Sequence, residues 1–215
     1  MPTVVRRSPV RSEHSLRFML SDYTKTLPLI LLLGGCATED PRATEFLDPQ
    51  TAVTIRQMSE PIVYAHEVPA IAANVRDYVS LGAVEVNNMG SRKHYLVAVS
   101  WTTVDRRASG ARAPVADRLE LTVGSRTLEF APVGHEARPL GIGEPPYRPP
   151  SGYVGESWYA VTPAELHALA ASPPAELTLN VDGDSLRYAT WRGASAQLQD
   201  FVRDIPQSAT SGARR

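Results

Sequence analysis

The sequence has very little cysteine and lysine, no long apolar run and no recognisable catalytic signature, and each shortage closes off some chemistry. Cys36 is the single cysteine in 215 residues, so neither an intramolecular disulfide nor a cysteine-based zinc cluster can form. Lys25 and Lys93 are the only lysines, and the arginines that outnumber them are scattered without making a face or stripe. With a formal net charge of -1, nothing draws the chain generally toward nucleic acid, and no such partner is expected. The most compact apolar stretch, Leu27 to Gly35, is far shorter than the about 20 residues that cross a bilayer.

The motifs of catalysis and metal binding are missing too. No Gly-x-Ser-x-Gly elbow occurs, and Ser151-Gly152 sits among prolines instead. His135-Glu136 lacks the second histidine of a helical zinc motif. Asn180, Asp182 and Asp184 alternate as calcium ligands do, but the glycine and glutamate positions of an EF-hand loop are not filled. A hairpin turn accounts for Asp182-Gly183. Gly141-Ile142-Gly143 has no strand-to-helix setting for a dinucleotide fingerprint. No catalytic residue, metal or cofactor is therefore assigned. His66 and His167 read as surface or strand-edge residues, and a hydrolase would need dispersed groups such as His94, His135 and Glu136 to converge.

What is present bounds the architecture. A hydrophobic content of 43% suffices for an ordinary globular core, and the length suits one domain with room for a small appendage. Arg6, Arg7, Arg11, Arg17 and Lys25 precede the run LPLILLLGG at Leu27–Gly35, and Cys36 follows it. A basic region, a short apolar stretch and small residues are the parts of an export signal. Leu33-Gly34-Gly35-Cys36 resembles the bacterial lipobox, with leucine three before the cysteine and small residues between.

That resemblance implies a signal peptide over 1–35, cleavage before Cys36, a diacylglyceryl thioether on Cys36 and a fatty acid such as palmitate on the new amine. Each buried methylene contributes about 0.8 kcal/mol, so several chains together hold a protein to a membrane durably. Lipoproteins with aspartate directly after the cysteine tend to stay at the inner membrane. Ala37 stands there, which implies the periplasmic face of the outer membrane. Met19 offers a second start, giving a tighter signal with Lys25 as its only basic residue. The segment Asp77 to Asp105 is similar to lipoproteins of proteobacteria to which no activity is attached.

Beyond the signal, residues 36–48 read as a lipidated polar tether, 49–206 as a β-rich periplasmic domain, and 207–215 as a disordered tail. Ile62–Val68, Asp77–Asn87 and His94–Val104 carry the β-branched and aromatic residues of strands, with a turn at Asn88-Met89-Gly90-Ser91. A two-residue turn at Gly124-Ser125 sets Leu121 opposite Leu128 and Leu119 opposite Phe130. Another at Asp182-Gly183 sets Leu179 opposite Leu186 and Leu177 opposite Tyr188. Thr162-Pro163-Ala164-Glu165 is a capping box that predicts a short helix ended by Ser172-Pro173-Pro174. Leu198, Phe201, Val202 and Ile205 keep the spacing of one helix face.

The expected fold is mainly β, an antiparallel β-sandwich for which an immunoglobulin-like arrangement is one form. It carries one short helix and a C-terminal amphipathic helix over an open end or edge of the sheet. A barrel is the alternative. The most unusual stretch, Pro139–Tyr153, combines five prolines with three glycines. Pro146, Tyr147, Arg148, Pro149 and Tyr153 make it a candidate partner-binding loop, because a stiff segment loses little entropy on docking. The other reading is a rigid crossover. The expected function is a non-enzymatic, membrane-anchored module that binds or helps assemble an envelope protein partner. A periplasmic hydrolase and an accessory subunit of a secretion or transport complex are the alternatives.

Overall fold

A computed structural model of the chain describes residues 43–69, 75–104, 115–148, 154–193 and 195–207. Cys36, Pro149, Tyr153, the signal-like segment and residues 208–215 lie outside the described residues. Among the described residues eleven strands and two α-helices follow in order: β1 (Thr44–Leu47), β2 (Thr54–Gln57), β3 (Ile62–Glu67), β4 (Arg76–Asn88), β5 (Ser91–Thr102), β6 (Arg118–Val123), β7 (Arg126–Phe130), β8 (Pro132–Gly134), β9 (Val154–Ala160), α1 (Pro163–Ala171), β10 (Glu176–Val181), β11 (Asp184–Arg192) and α2 (Ser195–Val202).

The hairpins form where short-range chemistry demands them. Met89 and Gly90 both have positive φ (49° and 92°) in the two-residue link between β4 and β5, the conformation that matches strand twist. Asp182 and Gly183 repeat it between β10 and β11, with φ of 51° and 89°. Between β6 and β7 only Gly124 takes it, with φ 60°. The register follows the apolar residues. Leu121 faces Leu128, Leu119 faces Phe130, Leu179 faces Leu186 and Leu177 faces Tyr188. The two hairpins then pair through β6 and β10, Leu119 against Leu179 and Leu121 against Leu177. Four strands thus share two continuous apolar rows, and each such side chain contributes about 1.5–3 kcal/mol on burial.

All strand pairs are antiparallel. The sheet order is β7-β6-β10-β11-β3-β4-β5-β9-β8, with β1-β2 attached to β4. β7 and β8 stand at opposite ends of that order, yet Ala131 alone separates them. Neighbouring Cα atoms are about 3.8 Å apart, so the two ends meet at a corner and the sheet curls nearly to closure, like a barrel. The expectation of a mainly β, antiparallel fold with two helices holds.

One edge of the long β4 is shared by two strands. β3 pairs with its first half, Ile62 opposite Leu81, and β2 with its second, Gln57 opposite Val84. Residues 58–61 therefore bulge opposite Gly82 and Ala83.

Alternation along β4 sends Val79, Leu81 and Ala83 to one face, where Tyr64, Leu96, Leu177, Leu179 and Tyr188 are buried with them. The helices cover this face. α1 opens on the expected capping box: the Thr162 hydroxyl accepts from the Glu165 amide (3.2 Å) and the Glu165 carboxylate accepts from the Thr162 amide (2.8 Å). Its Leu169 and the Leu198 of α2 meet Tyr64, Leu81 and Leu96. α2 ends at Val202, and Ile205, beyond it, stays buried through a turn in which its amide bonds to Val202. The C-terminal helix thus lies over the middle of the sheet rather than over an open edge, because β3, β4 and β5 are all interior strands.

The expected tether is shorter than its sequence suggests. Thr44–Leu47 pairs with β2, and Asp48 is 2% exposed. The boundary near residue 48 therefore falls inside the fold.

Candidate functional site

The second face of β4 carries Tyr78, Ser80, Gly82 and Val84, opposite Trp101, Val99, Val97 and Tyr95 of β5. Trp158 of β9 continues the row beside Val97. Residues 139–148 of the proline-rich segment cover part of this face, and a cleft lies beside them.

The cover is held at two points. The Tyr147 ring lies where a Cβ on Gly82 would stand. Its hydroxyl donates toward the carbonyls of Met58 and Ala83, each at 3.2 Å, at the point where the β2–β3 edge bulges. Burial holds the Tyr147 phenol protonated far above its ordinary range. The second point is Asp48, which accepts from the Gln50 amide (2.9 Å), the Thr51 hydroxyl (2.9 Å) and the Gly143 amide. Burial opposes its charge, but these bonds outweigh that and keep the carboxyl below its usual range. A side chain on Gly143 would meet the Asp48 oxygens at 2.7 and 2.8 Å. Ile142, next to Gly143 in the chain, is fully buried.

Of the candidate partner-binding residues, Pro146, Tyr147 and Arg148 fall among the described ones, and Tyr147 is turned into the fold. Tyr147 is a plug in the fold, since a phenol is more stable against an apolar sheet with its hydroxyl satisfied than in water. Pro146 gives its carbonyl to Gln57 (3.5 Å). Arg148 alone of the described candidates points outward, paired with Glu144 at 2.8 Å.

Beside the plug the face opens into a cleft of about 380 Å³, lined among others by Tyr78, Ser80, Trp101, Arg148, Trp191 and Arg192. Tyr78 and Trp101 stack with centroids 4.2 Å apart and planes 12° apart. Trp191 meets Tyr78 edge-on at 6.3 Å, and the Arg76 guanidinium lies 4.6 Å from its ring centroid. The Trp101 indole donates to Ser80 Oγ at 3.0 Å.

Trp191 and Arg192 are adjacent in sequence, and neighbours on a regular strand point to opposite faces. They share the cleft because β11 slips register there: Thr190 pairs with Tyr64 and Arg192 with Val63, leaving Trp191 as the extra residue. Such a bulge re-aims side chains. Trp191 is 55% exposed, the largest exposed ring among the described residues.

The histidines find separate partners. His94 Nε2 lies 3.0 Å from Glu85 Oε2, with Arg92 3.4 Å from the other oxygen. His135 Nδ1 lies 3.2 Å from Ser157 Oγ. His94 stands level with Val161, whose amide bonds its carbonyl, four positions along from Ser157. Glu136 stands near Glu156 instead. Burial raises the Glu156 pKa, the Trp158 indole bond opposes that, and the Glu136 charge adds to the rise. His66 and His167 bond the carbonyls of Arg187 and Ile205. Among the described residues no group of three or more His, Cys, Asp or Glu is placed to hold a metal. No helix there is long and apolar enough to cross a membrane.

No family model, no curated protein and no solved structure matches this chain.

Proposed function

We propose that the chain is a bacterial lipoprotein, exported, lipidated on Cys36 and moored at the periplasmic face of the outer membrane. There its β-domain acts as a non-enzymatic binding or envelope-assembly module. The observation that carries the anchor is Leu33-Gly34-Gly35-Cys36 directly after a short apolar run with basic residues before it. The open cleft at Trp191 and Arg192 supports the binding role, and we take it as the binding site in place of the Tyr147 segment. We also read the curled sheet as flattened into two facing arms, a sandwich closed at the Ala131 corner.

The reach of the anchor fits this reading. From Cys36 to Thr44, about eight residue steps span at most about 28 Å, so the domain stands close to the bilayer. Metabolic labelling with radioactive palmitate tests the anchor. Label is expected in the wild-type protein and absent from Cys36→Ala. An unlabelled, uncleaved wild-type chain in the cytosol would overturn it.

A further inference from the structure

We propose that the cleft between the Tyr147 plug and the β11 bulge binds an anionic sugar, its ring against Trp191 and its charge against Arg192 and Arg148. The inference deepens the reading of the domain as a binding module and depends on it, though not on the lipid anchor.

Three observations carry it. The bulge breaks a regular ladder to turn Trp191 and Arg192 the same way. A sheet gives up pairing only where something else holds the shape, and here Gly193 closes the detour with φ 110° and no room for a Cβ beside Ile62. Among the described residues, the side chains lining the cleft include two arginines and no carboxylate. Arg192 has no ion pair among the described residues, and the exposed Arg148–Glu144 pair is of a kind that contributes little, so a ligand anion can take it over. A guanidinium beside an aromatic face suits a carboxylate or phosphate carried on a flat apolar body.

The floor of the cleft favours a sugar over a peptide. β3, β4, β5 and β11 each have a strand on either side, so no backbone edge is left to pair with an extended chain. Recognition must come from side chains alone. A pyranose offers an apolar C–H face to a ring and a rim of polar groups, and about 380 Å³ falls within the usual size of small-ligand sites.

The test uses the full lipidated chain in detergent, titrated calorimetrically with methyl β-glucuronide, glucose 1-phosphate, methyl β-glucoside and adenosine monophosphate. At least one anionic sugar is expected to bind tenfold or more tighter than the neutral glucoside, and the better of the two identifies carboxylate or phosphate. Trp191→Ala and Arg192→Gln should each weaken that binding at least tenfold, with Arg126→Gln on the β6–β7 turn as an unaffected control. Equal binding of the neutral glucoside, binding of the nucleotide alone, binding untouched by both variants, or no binding at all would overturn the assignment. The mass of the Cys36 peptide from the same preparation reports the anchor separately, so the two readings fail independently. If both sugars fail while Trp191→Ala abolishes co-purification of an envelope protein, the module reading stands and the ligand class falls.

Discussion

The two faces of the β4–β5 hairpin differ in how they are covered, and the difference separates what holds the fold from what is left to meet a ligand. On one face Val79, Leu81, Ala83, Leu96 and Ala98 are sealed, all at 5% exposure or less, beneath two helices that contribute leucines. On the other, the Tyr147 ring covers Gly82, and beside it Tyr78, Trp101 and Trp191 line a cleft. A face sealed by regular elements gains stability from area. A face sealed by a loop depends on a few pins, here Tyr147 and Asp48, and can end where a site is needed.

Substitutions on the two faces should differ in effect. The largest loss is expected under the helices: Phe201→Ala, at a fully buried ring capped by the Arg56 guanidinium 5.0 Å from its centroid, should destabilise by about 3–5 kcal/mol, measured by urea unfolding. Next comes the plug. Gly82→Ala drives a methyl into the Tyr147 ring and should lose about 3 kcal/mol. Adding Tyr147→Ala should recover part of this, so that the double variant is less damaged than the sum of the singles. Strict additivity would mean that the ring does not sit over Gly82.

Asp48→Asn removes a charged acceptor from three donors and should cost about 2–3 kcal/mol. The sign of its pH dependence follows from the direction of the shift. A carboxyl held below its unfolded value of about 4 stabilises fully above that value and loses the contribution as pH falls through the lowered folded value. Wild type should therefore lose stability from about pH 4 downward more steeply than Asp48→Asn. The smallest effect belongs to the cleft: Trp191→Ala should change stability by no more than about 0.5 kcal/mol, which would set this ring apart from Phe201.

The same contrast explains what could be read in the chain. The hairpins at Gly124-Ser125 and Asp182-Gly183 were legible because turn residues and apolar partners lie within eleven positions of each other, and a slip of one residue would turn every leucine outward. The α1 capping box is equally local. By contrast, Tyr147 meets Ala83 across 64 positions and Asp48 meets Gly143 across 95, and nothing near Pro146-Tyr147-Arg148 reveals that one neighbour turns inward and the next outward. One signal was present: Gly82 alone among strand formers, a place where another group approaches closely. The Trp191 bulge had no such mark, because Ala-Thr-Trp-Arg reads as ordinary strand. β1 was concealed by the polar, proline-bearing residues before it, since pairing with β2 rather than composition makes it a strand.

Trp158 is buried within the sheet face that Tyr147 plugs while Trp191 stands exposed at the cleft beside it, and tryptophan fluorescence can separate the two. Three variants, each keeping one of Trp101, Trp158 and Trp191 with phenylalanine at the other two, can be quenched with acrylamide. Strong quenching is predicted for Trp191 (55% exposed), intermediate for Trp101 and almost none for the fully buried Trp158. Equal quenching of Trp158 and Trp191 would contradict the account.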